Sequence, residues 1–262
     1  MSRAMIFIER NDRKSTVSAR PAQEIPRIAL NIRDYKARIA IQASIVFLSS
    51  CILPLAGYFS LHYATTLNTK YILSIVTPIF GVVSLFGFIT RTTRLARKSS
   101  TCRPQGATNP WALDFFDWNF VGGFVIVSVI ISIGIAQNPP NVRIASLPLV
   151  LLLLQVCGQM VLLIPLRAMG FRALFRISSY GKGQLARPAS FTIAEDVVAV
   201  DGNQGVVFRG AWAARYEASA PFRRLLARLD VLWGVSGICV AAGIIAVVFA
   251  VPDASVGWAV GQ

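Results

Sequence analysis

Hydrophobic residues in this chain fall into five long stretches that contain no Lys, Arg, Asp or Glu. These stretches are Ile39–Thr69, Tyr71–Thr90, Trp118–Val142, Ile144–Leu166 and Val231–Pro252. A helix rises about 1.5 Å per residue, so about 20 apolar residues cross a hydrocarbon core of about 30 Å. Each stretch is long enough for one crossing. The pattern therefore predicts an all-α membrane protein, a bundle of five transmembrane helices.

The span limits divide the chain into four regions. Residues 1–38 form a basic leader, and residues 39–166 hold four spans, at about 39–63, 71–90, 119–136 and 144–166. Residues 167–230 form a long loop, and residues 231–262 hold the fifth span and a short tail. The third span is the shortest. A second interpretation therefore makes spans three and four a re-entrant hairpin, which leaves three full crossings.

Basic residues alternate from one side of the predicted bundle to the other. The segments before, between and after the apolar stretches hold 9, 1, 5, 1, 10 and 0 Lys and Arg residues. Loops rich in Lys and Arg stay on the cytoplasmic side of a membrane. We expect an integral membrane protein with a cytoplasmic N-terminus, a cytoplasmic long loop and an exterior C-terminus.

The net charge of +14 would suggest nucleic-acid binding in a soluble protein. Here 24 of the 26 basic residues lie in the three segments of one side. Anionic lipid headgroups attract such residues by about 1 kcal/mol each. We expect a bilayer with anionic headgroups as partner, and no nucleic acid.

The leader shows no cleavable signal peptide, because its first apolar patch is too short. The sequence does not fix which membrane holds the protein. A mitochondrial inner-membrane location is the alternative, although a presequence is poor in acids and this leader contains Glu9, Asp12, Glu24 and Asp34.

The long loop predicts a small cytoplasmic region that leans on the membrane helices. Phe191–Val200 is rich in β-branched residues, residues 201–205 read as a turn, and 206–208 are again apolar, which together favour a β-hairpin. Ser219 predicts the cap of an amphipathic helix that lies on the membrane surface and leads into span five.

Polar side chains inside the spans predict contacts between helices. Gln155 and Gln159 are four residues apart in span four, and Ser128 and Ser132 repeat that spacing in span three. Such side chains usually hydrogen-bond to neighbouring helices. The alternative is the lining of a polar pathway.

Small residues in span five permit close helix approach. Gly237 and Ala241 are four apart, as are Cys239 and Gly243. We expect packing within the chain, with a homo-oligomer as the alternative.

Charged residues near the span ends are expected to meet water or headgroups. We interpret Arg91, Arg94 and Arg97, on one helical face, as reaching for headgroups. Asp114 and Asp117 are expected to be boundary residues or partners of Arg103. Glu195, Asp196 and Asp201 are expected to be solvated hairpin charges. The open alternatives are a cation or partner site at the first pair and a metal site at the second group.

Catalytic chemistry is not indicated. The chain has one histidine, His62, at a predicted membrane edge, and no Walker loop, HExxH or Gly-x-Ser-x-Gly pattern. We expect no enzyme and name no catalytic, cofactor-binding or metal-binding residue. A membrane-embedded lipid enzyme is the least favoured class, since no nucleophile–base pair is evident.

Several short motifs resemble an uncharacterised group of fungal multi-pass membrane proteins. They are Trp111–Phe120, Arg187-Pro188, Glu195–Gly202, Ala214–Ser219, Phe222-Arg223 and Trp233-Gly234. The resemblance covers roughly Lys70 to Trp258 and implies fungal origin and membrane residence, with no known activity.

The leading hypothesis is a non-enzymatic membrane protein of unknown biochemical activity whose Gly181–Ser219 region docks a cytoplasmic protein partner. The alternative is a small-solute channel or transporter that uses the polar faces of spans three and four.

Overall fold

The computed structural model describes residues 28, 32–97, 100–107, 109 and 113–261. Of the predicted leader, 1–27 and 29–31 lie outside the described residues. The α-helices are α1 (Lys36–Phe47), α2 (Leu53–Ala64), α3 (Thr69–Ala96), α4 (Phe115–Ala136), α5 (Val142–Ala145), α6 (Pro148–Ala168), α7 (Ala189–Asp196), α8 (Gly205–Ala218), α9 (Ala220–Ala250) and α10 (Ala254–Gly261). A 3-10 turn (Ile32–Tyr35) precedes α1, and π-helical turns occupy Leu48–Ile52 and Val197–Asp201.

Four of these helices, α3, α4, α6 and α9, are long and apolar enough to cross a membrane. This confirms the helical class and an architecture compatible with an integral membrane location. The two helices that form the re-entrant alternative, α4 and α6, are both in this set, with 22 and 21 residues.

The first apolar stretch is helical from α1 to α2, with a π-helical turn in the middle. Each helix has only 12 residues. Between them the backbone N–H of Leu53 donates to the carbonyl of Leu48, five residues earlier, which is the π-helical pattern. Pro54 follows in the first turn of α2, where its missing N–H costs little. The helical backbone thus continues from α1 to α2, with a π-helical bulge just before Pro54.

The bundle has two ends, which we call the loop side, where residues 167–230 lie, and the tail side, where α10 lies. On the tail side Trp258 of α10 stacks on Tyr58 of α2, with ring centroids 4.3 Å apart. Arg143 donates to the carbonyls of Phe249, Val251 and Pro252 at 2.6–3.0 Å. The one basic residue between spans three and four thus neutralises the C-terminal end of α9.

Helices α6 and α9 pack closely because small residues of α9 face α6. A Cβ added at Gly234 would lie 2.9 Å from Cγ2 of Val161, and one added at Gly237 would overlap Sγ of Cys157. Both added Cβ atoms would lie closer to α6 than a normal van der Waals contact distance. The small residues of span five therefore serve packing within the chain at these two positions, as expected. Gly243, further along α9, faces open space.

The predicted β-hairpin is wrong. Residues 191–200 form α7 and the following π-helical turn, and α8 begins at Gly205. The buried residues recur at helical spacing, in the series Phe191, Thr192, Glu195, Asp196, Ala199 and Val200. Burial on one helical face overrides the β preference of the branched residues. Within the described residues the bridges are isolated ones, Arg172 with Leu185 and Ile177 with Tyr180.

The turn between these helices depends on Gly205. Its φ is +61°, and a Cβ there would lie 2.8 Å from the carbonyl oxygen of Thr101. Glycine alone combines this backbone conformation with such close approach.

The helix predicted after Ser219 is present, with the predicted cap and the predicted continuation into the fifth apolar stretch. The Ser219 hydroxyl oxygen accepts from the backbone N–H of Phe222, which confirms the cap. The helix then continues without interruption into the fifth apolar stretch, as α9. Its apolar side contacts α8, with Phe222 and Trp212 rings edge to face at 4.9 Å. This contact covers part of the apolar stripe, with Leu226 buried, whereas Leu225 remains 52% exposed.

We expect Gly237→Ala to lower the stability of the fold by about 1–3 kcal/mol, because an extra methyl group overpacks the α6–α9 contact. Gly243→Ala is the matched control, since its methyl group enters open space. Thermal unfolding in detergent measures both variants. Combining Gly237→Ala with Cys157→Ala should restore part of the loss. Equal melting temperatures for the two glycine variants would contradict this packing.

Candidate functional site

A cluster of buried charges joins the long loop to the loop-side ends of α3 and α4. Arg91 in the last turns of α3 is its first centre. Its Nη2 lies 2.5 Å from Oδ2 of Asp114, its Nε lies 2.9 Å from Oδ1 of Asp117, and its Nη1 pairs with Asp201. Arg91 is 6% exposed. The contacts join α3, α4 and the π-helical turn after α7 at one residue.

Arg209 of α8 is the second centre and is fully buried. Its Nη1 lies 2.6 Å from Oδ1 of Asp196 and 3.0 Å from Oε1 of Glu195. Its Nη2 is 3.6 Å from Oδ2 of Asp114, the oxygen that also contacts Arg91. Asp114 therefore links the two arginines into one cluster.

Local structure explains why the carboxylates face inward. Asp114 is the N-cap of α4, and its Oδ1 accepts from the backbone N–H of Asp117 at 2.9 Å. A carboxylate in this position favours the positive end of the helix dipole. Glu195 and Asp196 occupy the last turn of α7, so both reach Arg209 from one helix.

Ser178 holds Asp196 in place. Its hydroxyl donates to Oδ2 of Asp196 at 2.6 Å and accepts from the backbone N–H of Phe115 at 2.9 Å. Ser178 has a φ of +46°, a strained value for a residue with a side chain. Its contacts maintain this conformation, including Nε of Arg176, which donates to its carbonyl at 2.9 Å.

Negative charge is in excess in this cluster. Two central arginines face five carboxylates, those of Asp114, Asp117, Glu195, Asp196 and Asp201, with Arg176 at the edge. Glu195 Oε2 is buried and has no hydrogen-bond partner among the described residues.

This imbalance affects the ionisation of the loop carboxylates. Burial, and then the like charge of Asp114, raise the pKa of Asp196 to about 7, against the opposing effect of Arg209 and Ser178. Burial also raises the pKa of Asp201, although Arg91 opposes that shift. The neighbouring carboxylates of Asp196 and Glu195 raise the pKa of Arg209 against its burial. The cluster therefore holds a proton near neutral pH, and its arginines stay charged.

Three sequence interpretations are wrong at this site. Arg91 does not reach for headgroups, since it is buried among carboxylates. Asp114 and Asp117 pair with Arg91 and not with Arg103, which instead donates to the carbonyls of Leu95, Ala96 and Arg97 at the end of α3. Arg103 thereby supplies the positive charge that a helix C-terminus favours.

The acids of the long loop are likewise not solvated hairpin charges. Glu195 and Asp196 are fully buried on α7 and bind Arg209, while Asp201 stays partly exposed and binds Arg91. The helical conformation of the segment turns two consecutive acids toward α8. The carboxylates that suggested a metal site are thus paired with arginines.

A second polar contact lies between α4 and α6. Gln155 Nε2 donates to the carbonyl and to Oδ1 of Asn119, at 2.8 and 2.6 Å. Gln159 exchanges two hydrogen bonds with the Asn119 amide, at 2.7 and 2.9 Å. Ser132 instead donates to the carbonyl of Ser128 within its own helix. The glutamine face therefore joins two helices, as expected, and the serine face does not take part.

Asp230 anchors the long loop at its other end. It is fully buried in α9, and its carboxylate accepts from the backbone N–H groups of Ala189 and Ser190 at 2.9 and 2.8 Å. These are the first two residues of α7. A carboxylate on one helix thus caps the N-terminus of another.

Sequence reasoning missed Arg209, Ser178, Asn119 and Asp230. Asn119 and Asp230 each carried a weak signal, a polar residue beside the start of an apolar stretch. Arg209 and Ser178 stood among other loop polar residues, and their burial depends on contacts between segments far apart in the chain.

A family model matches residues 12–262, with the description of a domain of unknown function, DUF8766. The chain belongs to this family. No curated protein and no solved structure matches it. The function of the chain therefore has to be argued from its own geometry.

We expect Arg209→Met to lower the stability by about 3–5 kcal/mol, because it leaves Glu195 and Asp196 buried without a counter-charge. Arg224→Met is the matched control, since Arg224 is exposed on α9. Melting temperatures in detergent compare the two variants. Similar small losses for both would mean that the buried pairs contribute little.

We expect stability to fall as pH rises from about 4 to about 7. Over this range folded Asp196, with its pKa raised to about 7, retains a proton that the unfolded chain releases near its ordinary value of 3.8. Asp196→Asn, which does not titrate, should flatten this dependence even though it loses hydrogen bonds. Melting temperature against pH is the measurement, with Glu217→Gln at an exposed position as control. An unchanged slope in Asp196→Asn would contradict the assignment.

Proposed function

We propose that the chain crosses the membrane five times, with a cytoplasmic N-terminus and loop side and an exterior tail side. Support for the additional span comes from both ends of the stretch α1–α2. Tyr35, just before α1, accepts a hydrogen bond from Gln204 on the loop side, while Tyr58 of α2 stacks on Trp258 on the tail side. The stretch therefore extends between the same two ends as the four long helices. A reporter after residue 262 that proved cytoplasmic would refute this topology.

We further propose that the protein is a non-enzymatic membrane adaptor whose 181–219 region docks a cytoplasmic protein partner. The observation that carries this proposal is the rigid attachment of that region to the spans. Glu195, Asp196 and Arg209 hold it from inside through the ion cluster, and Asp230 caps its first helix. A preorganised surface loses little conformational entropy on binding, which favours recognition of a partner.

Helix α8 presents the surface that we propose for docking. Its first turn is fixed to the loop after α3 by the backbone N–H of Val206, which donates to the carbonyl of Thr101 at 2.6 Å. Trp212, in the middle of α8, packs on Phe222 of α9. The side chains of Val206 and Val207 are 42% and 80% exposed. An apolar pair on a fixed helix beyond the span ends suits contact with a protein.

The alternative, a small-solute channel or transporter, gains no support from the polar faces that suggested it. Gln155 and Gln159 use their amides to bind Asn119, and Ser132 bonds within its own helix. These contacts favour helix packing over a polar pathway.

We expect the double variant Val206→Asp and Val207→Asp to lose a neighbour that the unchanged chain retains. Proximity labelling from an enzyme fused ahead of the N-terminus should show at least about a tenfold loss for that protein, since a charge in an apolar interface removes a central contact. Deleting the whole region would be less informative, because it removes Arg209 as well.

Val256→Asp is the matched control, since Val256 is 46% exposed on α10 at the other side. Its neighbours should equal those of the unchanged chain. If the double variant keeps its melting temperature and every labelled neighbour, the docking proposal is wrong.

A further inference from the structure

A groove on the loop side, separate from the ion cluster, concentrates positive charge at the end of α6. It has a volume of about 540 Å³. Its charged lining consists of Arg167, Arg172, Arg187, Arg223 and Glu217. Four guanidinium groups thus face two carboxylates, Glu217 beside Arg187 at 3.2 Å and the buried Asp230 at 3.8 Å from Arg167. Positive charge is in excess here, the reverse of the balance around Arg91 and Arg209.

The arginines of the groove are held in place by contacts that use part of their donors. Arg172 Nη1 donates to the carbonyl of Gly183 at 2.9 Å. Arg223 Nη1 donates to the carbonyls of Tyr216 and Glu217 at 2.9 and 2.7 Å. A guanidinium has five N–H donors. Arg172 and Arg223 therefore each keep further donors for an anion.

Arg187 and Arg167 complete the wall. Arg187 lies over the rings of Tyr180, Phe191 and Tyr216, with 4.8–5.4 Å from Cζ to the ring centroids. Arg167, in the last turn of α6, is 3.8 Å from Asp230, whose oxygens are hydrogen-bonded to the start of α7. Stacking and burial fix these two cations before any ligand binds.

The position of the groove relates it to the bilayer. Arg167 directly follows the apolar part of α6, and Phe171 lines the groove four residues later. Close to it in sequence, apolar side chains are exposed, namely Met169 at 72%, Leu174 at 67% and Phe175 at 64%. Arginines close in sequence to such exposed apolar residues match a molecule with an anionic head and an apolar tail.

We propose that this groove binds the phosphate headgroup of an anionic phospholipid, with the acyl chains along the apolar residues after α6. The inference does not depend on the docking proposal. It also goes beyond the general attraction of a basic surface for anionic lipids, because it assigns the phosphate to these four arginines. Arginine suits this role, since its planar donors match phosphate oxygens.

Phosphatidylglycerol and phosphatidylcholine titrated into the delipidated full chain, in neutral detergent, test the proposal. Phosphatidylglycerol should bind more tightly. Arg172→Gln and Arg167→Gln should each weaken its binding by about fivefold, equivalent to about 1 kcal/mol per basic residue at a membrane surface. Arg172 is exposed, so its replacement tests the groove even if Arg167→Gln fails to fold.

Arg224→Gln and Arg228→Gln are the matched controls. Both residues are exposed on α9 and do not line the groove, and each substitution removes the same charge. Losses equal to those of the groove variants would show diffuse attraction and overturn the proposal. Inorganic phosphate that binds as tightly as phosphatidylglycerol would show that the acyl chains contribute nothing, and would refute a lipid site in favour of a soluble phosphate compound. An acidic peptide that binds more tightly than phosphatidylglycerol would refute it as well.

Discussion

A buried charge must be paired, and the loop side of this molecule is organised around that requirement. Removing an ion from water costs several kcal/mol even after relaxation, and only well-placed partners repay it. Arg91 and Asp201 pair across 110 positions of the chain. Any arrangement that misplaces the long loop would separate Asp201 from Arg91 and Arg209 from Asp114, the two pairs that join the loop to α3 and α4. We infer that the cluster contributes more to selecting one arrangement than to net stability.

The long loop has too few residues for a core of its own, and it folds against the spans instead. The ion cluster fixes the end of α7 and the middle of α8, and Asp230 fixes the start of α7. Aromatic rings then fill the space between α7, α8 and α9, with Trp212 between Phe191, Phe208 and Phe222. Polar contacts thus set the position of the loop, and apolar contacts exclude water from it. A surface supported in this way is rigid enough for recognition.

The apolar helices could be predicted from the sequence because the signal is local: a run of about 20 apolar residues has few alternatives to a helix in lipid. The Ser219 cap could also be predicted, because a serine directly before a helical segment is likewise a local signal. The segment 191–200 was predicted as a strand because branched residues dominate it, whereas burial at helical spacing decides its conformation. The charged site was beyond local reasoning. Asp114 and Asp117 were recognised as a pair, but their partner is chosen by the packing of α3 on α4, which places Arg91 closer than Arg103.

Arginine therefore has two different roles on one side of this molecule, and the surrounding charges distinguish them. Arg91 and Arg209 face more carboxylates than they can neutralise, so a further anion would be repelled there, and the excess is relieved by a proton on Asp196. The four groove arginines face two carboxylates, those of Glu217 and Asp230, so the chain balances only part of their charge. In the ion cluster, arginine pairs with buried carboxylates. In the groove, arginine leaves a positive site that an anion can bind. In the lipid site that we propose, an external anion completes only the second arrangement, and the place of the groove at the end of α6 favours a membrane phosphate as that anion.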